Sequence, residues 1–424
     1  MSSSLHRELN KPENEQVAHE FFVQLIEQQV REQDDLDFKR DAYQAQDKKK
    51  QWELAKDVCA MANSGGGWII CGIIDENETA VAFSGLELAP TSETSIHQLI
   101  ENQIEPPLTV ATRVYTDEDQ QNVVLTIRVP DSSDKPHLLH AKFDKDDTKP
   151  FVVPVRNGAR TRWLDERSIR SLYFKSNRAS QIHEETHNSY LEEAVVHSPR
   201  NKGACIVIVA SLTNPKESRR ISEDRIRDLL ASDERRKYLR SSLVWNFFDD
   251  DGVRISVGDQ RLIVRYVGRK DDARIDFLDD GAIEIVSRTG GIVDDPRAAQ
   301  SYPVGQPSHL RTIDVEGVIA QGINLIDQAT AEHETSDVNI DVRLVYQGTE
   351  PLLIRRMYSY GDSLQDPSAS MPIAVFRTVH YVLPAQRSTE TVRKAVYEIA
   401  TQVLNQGEIA WPSYIALPDD DTKD

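Results

Sequence analysis

Apolar residues recur at helical spacing in VAHEFFVQLIEQQV (Val17–Val30), where Ala18, Phe21, Phe22, Leu25 and Ile26 make one stripe and predict a helix. The period then changes. In REQDDLDFKR (Arg31–Arg40), Leu36 and Phe38 alternate with charged residues, as in a short strand with one face turned to a core. A second helical stripe, at about Lys49–Asn63, runs through Trp52, Ala55, Cys59 and Ala62 and ends at NSGGG. The unbroken apolar run WIICGII (Trp68–Ile74) reads as a buried strand, and SETSIHQLIENQI as a helix stopped by Pro106-Pro107. LTVATRVY and NVVLTIRV flank TDEDQQ as a hairpin, FVVPVRNGARTRW is a strand and turn, and DERSIRSLYF is a helix capped by Asp165.

Residues of about 179–202 are polar without a clear period and read as a linker. The second half opens on a buried strand, ACIVIVA (Ala204–Ala210), and a long helix around Ser222–Phe247. A meander follows through GVRISVG, RLIVRYVG and ARIDFLDDGAIEIVS, with Asp279–Gly281 as a hairpin turn. Helix VEGVIAQGINLIDQ, strands VNIDVRLVY and MPIAVFRTVHYVL, and helix TETVRKAVYEIATQVL complete it. The pattern predicts an α+β fold in two domains. The expected divisions are a disordered lead at 1–15, a first domain at 16–178, the linker, a second α+β domain at 203–415 and an acidic tail at 416–424.

Charge narrows the function classes. The 424 residues carry 50 Lys+Arg against 69 Asp+Glu, a net charge of −19, so no global basic field draws the chain to a polyanion. A nucleic-acid partner must be held by a local basic patch or through metal ions. Three scattered cysteines make neither a disulfide framework nor a zinc site. No run has the length of a membrane span, and the N-terminus lacks a signal peptide's apolar core; the sequence reads as cytoplasmic, with no membrane partner.

Two features invite chemistry. Glycines that cradle a nucleotide phosphate follow a strand and precede a helix, whereas Gly65–Gly67 follow a helix and precede a strand, the order of a helix stop. The second feature is acidic. Alternation puts Asp35, Asp37 and Lys39 on one side of the predicted strand, and Asp75 follows the apolar strand at a point where a carboxylate reaches a rim. Glu32, Asp37 and Asp75, if they converge, repel one another unless a divalent cation holds them, and hard oxygen ligands suit Mg²⁺ or Mn²⁺. The other reading of the same residues is an acidic strand edge that discourages pairing with other chains.

The stretches EQDDLDFK, DVCAMANSGGGWIICGIIDE, SDKPHLLH and VPVRNGARTRW resemble, in that order, the Schlafen AlbA-like domain family over residues of about 15–178. The resemblance implies a nucleic-acid-binding domain. In Schlafen-type nucleases it further implies a metal-dependent RNA-cleaving site, carried here by Glu32, Asp37 and Asp75. One departure is Asp37, where the family's residue is usually Glu. The implied function is a Mg- or Mn-dependent endoribonuclease acting on structured RNA such as tRNA, with RNA ahead of DNA. The alternative is a non-catalytic DNA- or RNA-binding regulator, nucleotide-binding in some labels of the family, whose second half senses a ligand or joins a homo-oligomer.

Supporting cations complete the expected site. Lys39 is placed to neutralise a scissile phosphate or else to pair with Asp35 or Asp37. Arg40, Arg156, Arg160 and Arg162 are candidates for phosphate contact, three of them around the turn RNGAR. His137 in KPHLLH is a candidate contact or, equally, a packing residue. In the second half, Trp245, Phe247 and Phe248 read as core.

Overall fold

In the computed structural model, the residues described are 4–418, apart from 12–16, 43–46, 89–91, 120, 141–150, 199–202, 215–219, 241–243, 245, 250–251, 267–272, 292–304, 334, 357–370 and 374. Trp245 and the acidic end of the chain from 419 therefore lie outside the described residues. The fold is α+β, in two compact units: Met1–Ile182 with Glu334–Ser336, and His183–His333 with Asp337–Asp424.

The first unit is built on a four-stranded mixed sheet. Its elements are α1 (Ser4–Glu8), α2 (His19–Glu27), β1 (Leu36–Lys39), α3 (Lys48–Ser64), β2 (Gly67–Cys71), β3 (Ile73–Glu76), β4 (Thr79–Phe83), α4 (Ser92–Gln103), β5 (Ile104–Glu105), β6 (Ala111–Tyr115), β7 (Val124–Val129), β8 (Leu138–His140), β9 (Phe151–Val152), β10 (Pro154–Asn157) and β11 (Arg160–Trp163). The sheet order is β1-β2-β7-β6; β1 runs parallel to β2 and the other pairs are antiparallel. Small antiparallel ladders, β3-β4, β5-β8-β9 and β10-β11, surround it.

Both faces of that sheet are covered, which is why WIIC reads as an unbroken apolar run. Ile70 and Val124 pack with Leu36, Phe38, Phe21, Phe22 and Leu25 on one face. Ile69, Cys71, Leu125 and Ile127 pack with Leu54, Val58 and Ile100 on the other. Burying a side chain such as Phe38 contributes about 1.5–3 kcal/mol before its ordering cost. Asp37 stands opposite Ile69 in the β1-β2 register, so alternation turns it to the face that α3 covers.

The start of α3 has a signal the run of lysines hides. Asp47 caps it, accepting the N–H groups of Lys49 (2.9 Å) and Lys50 (3.2 Å), so an anion stands where the first-turn cations oppose the helix dipole. At its other end Gly65 takes the left-handed conformation at φ 119° and closes the helix, as the inverted order of the glycine run implies. Gly67 serves a different end: a Cβ there would lie 2.4 Å from the Asp35 carbonyl oxygen, so glycine lets β2 lie against the turn before β1.

The expected disordered lead is in part a helix. Leu5, spaced four residues from Leu9, is fully buried in α1, and the Ser4 N–H donates to the Asp35 carboxylate at 2.8 Å. The stretch read as a linker is also largely helix: α5 (Glu166–Val196) begins in the first unit and, from His183, belongs to the second. Its period was faint because only His187, Leu191 and Ala194 are buried.

The second unit contains β12 (Cys205–Leu212), α6 (Glu223–Ala231), β13 (Val253–Gly258), β14 (Arg261–Tyr266), β15 (Ala273–Leu278), β16 (Ile283–Arg288), β17 (His309–Arg311), α7 (Thr312–Thr330), β18 (Val338–Val345), β19 (Leu353–Arg355), β20 (Val379–Leu383) and α8 (Thr389–Asn405). Its seven-stranded sheet, in the order β13-β14-β15-β16-β12-β18-β20, is antiparallel throughout, and β13 to β16 form the expected meander. One face packs its apolar residues with those of α7 and α8. On the other, Cys205, Val207 and Val209 pack with Leu191 and Ala194 of α5. The predicted long helix after β12 is instead α6 and a 3-10 turn, Asp233–Arg236. Ser232 breaks it, taking an extended backbone and capping the second turn through the Glu234 N–H.

Candidate functional site

Glu32, Asp37, Lys39, Arg40, Asp75, Arg156 and Arg160, seven of the nine residues singled out from the sequence, line one open cleft of about 670 Å³ in the first unit. Strand β1 carries Asp37 and Lys39, β3 carries Asp75, and the β10-β11 hairpin carries Arg156 and Arg160. Helix α3 adds four residues: Lys50, Glu53, Lys56 and Asp57.

The acidic run divides its work. The Glu32 carboxylate accepts the Phe38 N–H at 2.9 Å across the bend into β1. Asp34 accepts the Gly158 N–H and so fastens the β10-β11 turn to this edge. Asp35 lies in the turn ahead of the strand, so alternation does not reach it; it binds Ser4 instead of facing the cleft. Asp37 is 1% exposed and held by two cations, the Arg156 guanidinium at 2.9 Å and the Lys39 ammonium. Lys39 also lies 3.7 Å from Asp57.

Electrostatics follow from burial. Glu32 is pushed up to about 7, first by burial and then by the charges of Asp37 and Asp75, against the Phe38 N–H and Lys39, which pull it down. Burial also raises Asp57, against the pull of Lys39. For Lys39 burial acts downward, but Asp37 and Asp57 outweigh it and hold the ammonium above the usual lysine range. Lys56 pairs with Glu53 and lies 3.5 Å from Asp57, and Lys50 lies 3.6 Å from Asp41. Arg40 and Arg160, both exposed, have no acidic partner among the described residues.

Three expectations change. Arg156 was a candidate phosphate ligand, but its side chain is 2% exposed and committed to Asp37. The register explains this: Arg156 pairs with Thr161 on the face of the hairpin that meets the cleft floor. His137 is fully buried away from the cleft, its Nδ1 2.9 Å from the Pro106 carbonyl, its N–H donating to Asn63, its pKa lowered by burial. It is a packing residue. Arg162 is exposed on β11 but does not line the cleft.

Residues 32–165 match the family described as Schlafen, AlbA_2. This segment is a Schlafen AlbA-like domain. No curated protein matches the chain. Among solved structures, the DIP2311 protein from Corynebacterium diphtheriae is 21% identical, with 34% of this chain and 24% of that one covered and a TM-score of 0.23. The N-terminal domain of a RecG-related protein from Nitrosomonas europaea is 17% identical, with 32% and 88% covered and a TM-score of 0.24. The chain thus spans about a quarter of the first of these.

The AlbA-like domain's carboxylates do not form a gathered ligand shell. Glu32, Asp37 and Asp75 share the cleft, yet the one group of three His, Asp or Glu ligand atoms lying within 4.8 Å of one another among the described residues is elsewhere, at His197, Asp276 and Glu284. Asp37 already has its charge met by Lys39 and Arg156. As arranged, a divalent ion at this cluster would have to take Asp37 from these two cations. Among the described residues no helix is long and apolar enough to cross a membrane.

Proposed function

We propose that the AlbA-like domain binds nucleic acid, taking backbone phosphates into the cleft. The observation that carries this reading is that, in a cleft lined by six Lys and Arg and five Asp and Glu side chains, Lys39, Lys50, Lys56 and Arg156 are paired with acids while Arg40 and Arg160 have no acidic partner among the described residues. Lys39 and Arg156 hold the floor by pairing with Asp37, while Arg40 and Arg160 stand exposed for phosphate. A local basic patch of this kind answers the requirement that the acidic chain sets. The test is binding of fluorescent RNA and DNA across a salt series. Arg40→Ala/Arg160→Ala should weaken binding about tenfold or more and lower the salt slope by about 2. Unchanged binding and slope would end the reading.

A second, finer reading is divalent-ion-dependent cleavage of structured RNA such as tRNA, with Glu32, Asp37 and Asp75 as ligands of Mg²⁺ or Mn²⁺. It is favoured by the three carboxylates lining one cleft, where burial first, then the charge of Asp37 and, least, that of Asp75 push Glu32 up to about 7. It requires Asp37 to exchange its cations for the ion once substrate is bound. Asp75→Asn, at an exposed position, tests it without disturbing the floor: cleavage dependent on added Mn²⁺ should disappear while binding remains. Cleavage at the wild-type rate in that variant would refute it.

A further inference from the structure

We propose that this cleft takes single-stranded nucleic acid, with an unpaired base stacking on an aromatic surface led by Trp163 at the cleft's edge. The inference rests on the phosphate-binding reading above and adds the state of the strand. Thr161 and Arg156 line the cleft and face each other across the β10-β11 ladder; two residues on, Trp163 stands opposite Pro154 on the same face. Trp163 is 46% exposed. Its ring centroid lies 6.2 Å from that of Trp52, and Lys56, which lines the cleft, places its ammonium 6.0 Å from the Trp52 ring. The Trp52 Nε1–H donates to the His140 carbonyl at 3.0 Å, and the His140 ring meets Phe151, itself 46% exposed, at 4.6 Å. Two ring pairs, Trp163–Trp52 and His140–Phe151, are thus joined through the Trp52 hydrogen bond to the His140 carbonyl.

One exposed tryptophan is ordinary on a protein surface. A run of rings beside arginine and lysine is different, because the occupant must offer both negative charge and flat apolar faces. An apolar protein surface would leave Arg40 and Arg160 without a counterpart. A single strand offers phosphates to Arg40 and Arg160 and base faces to Trp163, whereas in a duplex those faces are hidden by stacking. Trp52 is held by its hydrogen bond to the His140 carbonyl, which fixes the second ring that Trp163 leans on. The structure thereby assigns the rim a role in discriminating strand state, not sequence, since every base has a face to stack.

The experiment uses the full chain with a fluorescent 16-nucleotide single strand, the matching duplex, and an abasic strand of equal charge. Single strand should bind at least tenfold tighter than duplex or abasic strand. Trp163→Ala should erase that preference while leaving duplex binding unchanged, and Trp163→Phe should restore most of it. Equal binding of all three nucleic acids by the wild type, or no effect of Trp163→Ala, overturns the stacking surface. If salt-dependent binding persists in that case, the phosphate cleft stands and only the platform falls. No binding of any nucleic acid overturns both. Loss of a Trp163-dependent dimer in the variant, with strand preference intact, would show the surface to be a self-association site and also defeats the inference.

Discussion

The cleft of the first unit and the charged cluster beside α5 in the second unit are made of the same residue types and do opposite things. In the second unit, His197, Asp276 and Glu284 bring ligand atoms within 4.8 Å of one another, the very arrangement the sequence led us to expect at Glu32, Asp37 and Asp75. Yet Asp276, 1% exposed, already accepts hydrogen bonds from Arg274 at 2.7 Å and 2.6 Å and from Arg261 at 3.1 Å. The carboxyl oxygens of Glu284, 2% exposed, have no hydrogen-bond partner; Arg261 lies 3.6 Å away and the His197 ring, whose pKa burial lowers, 3.8 Å away. The cluster spends its arginines on its own acids. In the cleft the carboxylates are less tightly gathered, but the site is open and two arginines are left over. Proximity of acids is therefore the weaker guide; an open mouth and cations without acidic partners are the stronger one.

The largest expected effect probes what holds each region. Arg156→Ala leaves Asp37 buried with Lys39 alone, and should destabilise the first unit by about 3–5 kcal/mol, read from denaturant unfolding. Arg261→Ala leaves Asp276 its two bonds from Arg274, so the loss should be smaller, about 1–3 kcal/mol. Equal losses would erase the distinction between a two-cation clamp and a cluster with a partner to spare.

Next in size is a pH effect at Glu284 of the second region. Burial, and then the Glu193 carboxylate, push Glu284 up to about 8. Between its ordinary value and about 8 the folded state therefore holds a proton that the unfolded state has lost, so stability falls as pH rises through that window. Glu284→Gln should flatten the fall, giving a midpoint of thermal unfolding higher than the wild type's at pH 8 and close to it at pH 5. A wild-type profile flat from pH 5 to pH 8 would contradict this. The smallest effect is expected at Arg162→Ala, which stands outside the cleft: less than a threefold change in nucleic-acid binding, against tenfold for the pair Arg40 and Arg160.

Much of this was legible in the chain, for physical reasons that can be named. The period change from Leu25 to Leu36 marks the step from helix to strand, and the unbroken run at Trp68–Ile74 marks a strand covered on both faces. Alternation alone sets Asp37 on the face opposite Leu36 and Phe38; that α3 covers this face and buries Asp37 shows only in the fold. What the chain hides is what depends on the third dimension. Asp57 and Lys56 sit in a helical stretch where charges usually face solvent, and only the packing of α3 beside β10 makes them part of the floor. His137, beside a proline in a polar stretch, has the look of a loop residue and is enclosed by Asn63 and Pro106. Arg156 was readable in principle, because strand alternation puts it on the same face as buried Pro154. Asp35 misleads the other way, since the strand begins one residue after it.

Nucleic-acid binding in the cleft requires exposed Arg40 and Arg160 to meet phosphate. The direct measurement is the affinity of the full chain for a nucleic-acid strand as a function of salt, for the wild type and for Arg40→Ala/Arg160→Ala. A wild-type slope that drops by about 2 in the double variant, with the fold intact by circular dichroism, is the predicted result. Identical slopes for the two proteins, or a wild type whose binding ignores salt, would contradict it.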